Sequence, residues 1–228
     1  MDSLTVVFDL DGTLIDTIGD LAAAVEYALG LKGFPGHGID EYRKMVGHGI
    51  RNLVTRALPE GVSEEVIDST LSDFVSYYTA HIDVFSRPYP GIHQLLRDLD
   101  RAGIKIAVAS NKFQAGTEML MERFFPDIPF VKILGNAPGL PLKPDPEVIR
   151  LAMEAAGSSR AVMAGDSATD IRTAHNAGIP AIAVSWGFRP KTDFGAAEAI
   201  ADSVEQLHNL ILEYLSADSG LSSCGRQV

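Results

Sequence analysis

The chain has 228 residues, 46% of them hydrophobic and 21% charged, with a formal net charge of −11. That length can bury a core in one or two domains. The negative field excludes a non-specific binder of nucleic acid or of an anionic membrane, but not a small anionic substrate held at a locally positive site. The single cysteine, Cys224, excludes an intramolecular disulfide and a cysteine zinc site. No apolar run approaches a membrane span and no leader pattern stands at the start, so a cytoplasmic protein is expected. Residues 217–228, polar and unpatterned, are expected to form a flexible tail.

In chain order, "LTVVF" (4–8) reads as a buried strand that runs into "DLDGTLID". Residues 17–83 contain no convincing strand. There "DLAAAVEYAL" places Leu21, Val25, Ala28 and Leu29 at helical spacing. "SEEVIDSTLSDFVSYYTAHI" repeats with Val66, Ile67, Leu71, Phe74, Val75 and Tyr78, behind Ser63 as N-cap and two glutamates in the first turn. From residue 84 strand and helix alternate. "GIHQLLRDLDRAG" is a helix with Ile92, Leu95, Leu96 and Leu99 on one face, ending at Gly103. The runs "IKIAVA" (104–109), "FVKIL" (130–134), "AVMAG" (161–165) and "AIAVS" (181–185) read as buried parallel strands. "DPEVIRLAMEAAG" is a helix with Asp145 as N-cap, Pro146 in the first position and Gly157 past the end, and "SATDIRTAHNAG" is a short helix closed by Gly178. The pattern predicts an α/β core with a central parallel sheet flanked by helices (1–16 and 84–216), interrupted by a helical insertion (17–83).

Polar residues follow three of these strands: Asp9 and Asp11, then Ser110, Asn111 and Lys112, then Asp166, Ser167 and Asp170. Ligands of an open parallel sheet bind outside the carboxyl ends of its strands, so these residues are expected at one edge. Residues i and i+2 of an extended chain face the same way, so Asp9 and Asp11 can both point at one ligand. Three carboxylates at one site need a hard cation, and oxygen ligands without His or Cys suit magnesium rather than zinc. Lys143, in the proline-flanked loop "LKPDP", adds a fixed ammonium suited to a phosphate dianion. Taken singly, each feature has a plainer reading as a turn, a cap or a solvated lysine; their occurrence together, at successive strand ends, carries the inference.

With these motifs in order, the chain resembles the haloacid dehalogenase (HAD) superfamily of phosphohydrolases over residues 4 to 190, and within it the phosphoglycolate phosphatase-like branch. "DLDGTLID", "SNK", Lys143 in "KPDP" and "GDSATD" resemble its four motifs, and the insertion resembles a C1-type helical cap on a Rossmann-like core. The resemblance implies Asp9 as the nucleophile that forms an aspartyl-phosphate and Asp11 as general acid and base. It implies a magnesium ion held by the Asp9 carboxylate, the Asp11 backbone carbonyl and Asp166, with Asp170 supporting that shell or positioning Lys143. Gly12, Ser110, Asn111 and Lys143 would bind the transferring phosphoryl group.

Other branches fit less well. A dehalogenase proper lacks the second aspartate, the Schiff-base lysine of phosphonoacetaldehyde hydrolases falls on Ile50, and the hinge histidine of β-phosphoglucomutases falls on Leu21. In the insertion, "RKMVGHGIRN" carries Arg43, Lys44, His48 and Arg51 without an acid and opens onto a helical pattern. That loop is expected to hold a second anionic group of the substrate. The expected partner is therefore a small phosphorylated metabolite, best 2-phosphoglycolate, with no nucleic acid or membrane involved. Pyrophosphatase, a broad sugar or nucleotide phosphatase, and a catalytically silent binding module are the alternatives. The sequence leaves the oligomeric state open, as monomer or dimer.

Overall fold

A computed structural model describes residues 4–216; Cys224 and the tail expected to be flexible lie outside the described residues. The elements in chain order begin with β1 (Leu4–Phe8) and β2 (Ile15–Asp16), then α1 (Ile18–Gly30), α2 (Ile39–Met45), α3 (Ile50–Ala57) and α4 (Glu64–Ala80). After β3 (Arg87–Pro88) come α5 (Ile92–Arg101), β4 (Lys105–Phe113), α6 (Gln114–Phe124), β5 (Lys132–Asn136) and α7 (Glu147–Ala156). The chain continues through β6 (Arg160–Gly165), α8 (Ala168–Asn176), β7 (Ala181–Val184), a 3-10 turn at Lys191–Asp193, β8 (Ala199–Ala201) and α9 (Val204–Ser216).

Six strands form one parallel sheet in the order β5-β4-β1-β6-β7-β8. Its strands read as unbroken apolar runs because both faces are covered. Along β1 the pleat divides them: Val6 and Phe8 join a core that includes Leu96 of α5 and Leu207 of α9, and Val7 joins Ile149 of α7 and Ile171 of α8 on the other face. The expected parallel sheet with helices on both sides is present.

Several boundaries differ from expectation. The sixth strand, β8, has three residues, too few to display a period. β5 runs over Lys132–Asn136, shifted from the expected 130–134. β4 continues past Ala109 to Phe113 through a register shift in its pairing with β5, so Ser110, Asn111 and Lys112 lie in an irregular strand end. At α7 the N-cap is Pro146 rather than Asp145; the Asp145 carboxylate instead accepts the Glu147 N–H at 2.9 Å, a side-chain turn ahead of the helix. Gly157 closes that helix in the left-handed conformation, as expected.

Helices α1 to α4 pack on one another as the cap and connect to the core through two strands of chain. Those two strands pair antiparallel as β2 and β3. Beside them the buried Asp20 carboxylate of α1 accepts the N–H groups of Phe85 and Ser86 at 2.9 and 2.8 Å and the Ser86 hydroxyl at 2.6 Å. A charged acceptor on three donors ties the outgoing and returning chains together at the crossing point.

Candidate active site

The polar residues that follow β1, β4 and β6 meet in a cleft of about 600 Å³, counting its open mouth, between the carboxyl edge of the sheet and the cap. Asp9 is fixed by its N–H, which donates to the Ala164 carbonyl of the neighbouring strand at 2.9 Å. Lys143 Nζ donates to Asp9 Oδ1 and to Asp170 Oδ1, both at 2.7 Å, with its side chain 3% exposed. Asn111 holds the backbone of that lysine from both sides: its Oδ1 accepts the Lys143 N–H at 2.8 Å and its Nδ2 donates to the Lys143 carbonyl at 3.1 Å. The ammonium thus has a fixed position against two carboxylates. Burial alone would lower its pKa, but Asp170 and Asp9 more than reverse that and raise it above the usual lysine value.

Asp9, Asp166 and Asp170 each bring a carboxylate oxygen within 4.8 Å of the others. Their hydrogen bonds make them unequal. Both oxygens of Asp170 are engaged, Oδ1 by Lys143 and Oδ2 by the Ser167 N–H and hydroxyl in a capping box at the start of α8. Asp166 accepts the Phe188 N–H on Oδ2 at 2.6 Å. Asp9 Oδ2 and Asp166 Oδ1 have no hydrogen-bond partner among the described residues. Burial, followed by the neighbouring Asp170, pushes the Asp9 carboxyl up to about 7; burial and then Asp9 raise Asp166 well above the carboxylate range. Two carboxylate oxygens left free at the cleft wall, in a site with more carboxylates than cations, fit a hard cation in the oxygen environment expected for magnesium. Asp170, with both oxygens engaged, shares Lys143 with Asp9.

Glycines let the chain wrap Asp166 closely. Gly12 has φ +87°, and a Cβ there would lie 2.4 Å from Asp166 Oδ2; one on Gly187 would lie 2.3 Å from the same atom. This corrects the part expected of Gly12. Its own N–H donates to the Ile15 carbonyl at 2.9 Å, so the glycine makes room for a carboxylate rather than offering its amide to a phosphoryl group.

Asp11 faces the same cleft. Its Oδ1 accepts the Thr17 hydroxyl at 2.6 Å and Lys112 Nζ at 3.1 Å. The side chain of Lys112 is 1% exposed, and its ammonium lies 4.6 Å from the centre of the Tyr78 ring on α4. Ser110 Oγ accepts the Lys112 N–H at 3.2 Å, which leaves its own hydroxyl proton for a ligand.

The cap side of the cleft departs from expectation. Arg43 pairs with Asp40 at 2.6 Å, Arg51 pairs with Glu64 and Asp68 at 2.5 Å each, and Lys44 and His48 are exposed. None of the four lines the cleft, because acids close in the cap fold take the arginines. The cap contributes Leu21, Val46, Gly47, Gly49, Ile50 and Leu53 instead. Although its side chain reaches solvent, partial desolvation and then the positive charges of Arg189, Arg56 and Arg172 lower the His48 pKa below its usual value.

Two charged lining residues had been given no role from the sequence. Lys112 could be read only as a polar residue beyond a strand. Arg189, just past "SWGF", gave no signal. Its guanidinium donates to the cap carbonyls of Arg43, Lys44 and Val46, while Asn111 Nδ2 donates to the Gly47 carbonyl at 3.0 Å. Trp186 packs against the core, with its indole N–H donating to the Thr13 carbonyl at 3.1 Å.

This arrangement on this sheet has relatives. Residues 6–184 match the haloacid dehalogenase-like hydrolase family. The chain belongs to that family. The HAD chain is 40% identical over 192 residues, 80% of its length and 83% of the relative's, to a phosphoglycolate phosphatase of Mesorhizobium japonicum. It is 35% identical over 193 residues to the phosphoglycolate phosphatase of Caulobacter vibrioides, covering 82% of this chain and 81% of that one. Among solved structures it superposes on CbbY from Rhodobacter sphaeroides, crystallised with phosphate, with a TM-score of 0.73 and 25% identity over 91% of this chain and 96% of that one. A structure from Lactobacillus delbrueckii subsp. bulgaricus gives a TM-score of 0.86 at 31% identity, covering 92% and 99% of the two chains. The HAD fold, with its helical cap and a hydrolase's acidic cluster, is therefore the setting for the chemistry.

Proposed function

We propose that the protein is a magnesium-dependent phosphatase that hydrolyses 2-phosphoglycolate to glycolate and phosphate through an aspartyl-phosphate at Asp9. The observation that carries the reaction class is Asp9 itself: a buried carboxylate at a strand end, hydrogen-bonded to Lys143 and beside Asp166 in an enclosed cleft. The substrate is supported by the phosphoglycolate phosphatases that match most of the chain.

In the first half-reaction Asp9 attacks phosphorus, the bond from phosphorus to the leaving oxygen breaks, and Asp11 gives that oxygen its proton. In the second, a water attacks phosphorus and loses a proton to Asp11; the acyl-phosphate bond breaks and the Asp9 carboxylate is restored. Lys143 offsets negative charge on Asp9 and the phosphoryl oxygens, and the Ser110 hydroxyl and Asn111 position the group. Asp9 and Asp166, with the Asp11 carbonyl, would hold the magnesium ion, which when bound supplies positive charge to the transferring phosphoryl group. The functional division is a core of residues 1–16 and 84–216 and a cap of 17–83. The cap excludes water during transfer and readmits it for hydrolysis. No helix among the described residues is long and apolar enough to cross a membrane, and a cytoplasmic enzyme fits.

Steady-state kinetics of the magnesium-loaded protein against a panel of phosphate esters tests this reading. 2-Phosphoglycolate is expected to lead. Sugar phosphates, nucleotides or pyrophosphate exceeding it by about 100-fold in kcat/KM, roughly 2.7 kcal/mol, would overturn the substrate assignment.

A further inference from the structure

Three cations line the cleft: Lys112, Lys143 and Arg189. A substrate with a second anionic end needs one of them, since the basic side chains of the cap lie elsewhere. Lys143 is shared by Asp9 and Asp170 at 2.7 Å each, on the phosphoryl side. Both terminal nitrogens of Arg189 donate to cap carbonyls. Lys112 is differently placed. Its ammonium has three donors and makes one hydrogen bond of ordinary length, to Asp11 Oδ1 at 3.1 Å, with a longer approach to Oδ2 at 3.5 Å. It has no other acceptor among the described residues. The Tyr78 ring covers another side of the ammonium, a contact that supports a buried cation.

We propose that Lys112 is the specificity-determining residue of this cleft, taking the carboxylate at the far end of the substrate. The assignment rests on the phosphoglycolate reading and adds a residue to it. Asp11 must come within hydrogen-bond distance of the leaving oxygen to give it a proton. In 2-phosphoglycolate the carboxylate is one methylene from that oxygen. A cation 3.1 Å from Asp11 therefore lies on the side where the carboxylate emerges. The cap side of the wall is Leu21, Val46, Ile50 and Leu53 with Gly47 and Gly49, and it brings no charged side chain to an anion. A substrate without a carboxylate leaves this ammonium with Asp11 alone; one that carries it gains a charge-assisted hydrogen bond shielded from water.

The test compares two esters of matched size in the magnesium-loaded full-length protein: 2-phosphoglycolate and 2-hydroxyethyl phosphate, which has a hydroxymethyl in place of the carboxylate. The readout is the ratio of their kcat/KM values, whatever happens to the absolute rates. Lys112→Met is expected to lower the preference for the carboxylate about 100-fold, chiefly through KM for phosphoglycolate. Lys112→Arg, which keeps a cation, is expected to retain most of it. Lys112→Gln serves as a second neutral variant if the methionine protein does not fold. A wild-type enzyme that prefers phosphoglycolate, with the preference unchanged in the neutral variants, would overturn the role of Lys112: both esters would then fall together, as for a residue that only positions Asp11. A wild-type enzyme with no preference between the esters would overturn the substrate reading itself.

Discussion

The edge of the sheet and the cap enclose the same cleft with opposite materials. The edge supplies four carboxylates, two lysines and two serines, each anchored by a strand or held by a neighbour, as Lys143 is by Asn111. The cap supplies aliphatic side chains and glycines and keeps Arg43 and Arg51 in ion pairs away from the cleft. Charged groups that must be placed to within fractions of an ångström sit on rigid elements; the cap side offers shape. In this molecule the charged groups are built into the sheet edge and the cap lies over them.

Substitutions should separate the two regions by the size of their effects. The largest effect is expected at Asp9→Asn: turnover lost by about 10⁴-fold or more with the fold retained, read as phosphate release together with an unchanged circular dichroism spectrum. Residual turnover near wild type would remove Asp9 as the nucleophile. Next comes Asp11→Asn, with a loss of about 10²–10⁴-fold on alkyl phosphates and a smaller one on p-nitrophenyl phosphate, whose leaving group needs no proton. Equal losses on both would argue against Asp11 as the acid. On the cap side, Arg189→Met removes the hydrogen bonds to the cap carbonyls; KM is expected to rise about tenfold with kcat changed less. Arg51→Ala should be the mildest, within threefold in kcat/KM, because its partners are Glu64 and Asp68. A hundredfold loss there would return the substrate to the cap loop.

Proton linkage sharpens the same contrast. Asp9, raised from an ordinary 3.8 to about 7 by burial and then by Asp170, holds a proton in the folded protein at pH values where the unfolded chain has lost it. Between about pH 4 and pH 7 the folded state therefore binds more protons, and this group's contribution to stability falls as pH rises through that window. After chelation of metal, the melting temperature measured by calorimetry is expected to fall from pH 5 to pH 7.5. Added magnesium should raise it more at pH 7.5, where the carboxylate is free to bind a cation. The same slope in metal-free Asp9→Asn as in the parent protein would contradict this assignment to Asp9.

Much of this edge was legible in advance, because a polar residue that ends a buried apolar run has one place to go in a parallel sheet. Asp9, Ser110 and Asp166 were found that way, and Lys143 from its proline-flanked loop. The pairing of Lys112 with Asp11 spans 101 residues and leaves no local pattern. Arg189 was hidden for another reason: its partners are backbone carbonyls, which every residue has. The cap loop misled because four basic residues without an acid in "RKMVGHGIRN" looked unpaired, whereas Asp40, Glu64 and Asp68 reach two of them in three dimensions. Two- and three-residue strands such as β2, β3 and β8 are too short for periodicity to register.

Arg189 and Asn111 grip the cap at four carbonyls, those of Arg43, Lys44, Val46 and Gly47, and so never read a cap side chain. Docking of this kind is blind to sequence. The cap segment can therefore exchange its side chains, and with them the shape it presents to a substrate, without losing its seat on the core. Substitution of Val46, the one side chain of residues 43–47 that lines the cleft, should accordingly alter which esters fit while the phosphoryl chemistry stays as it is.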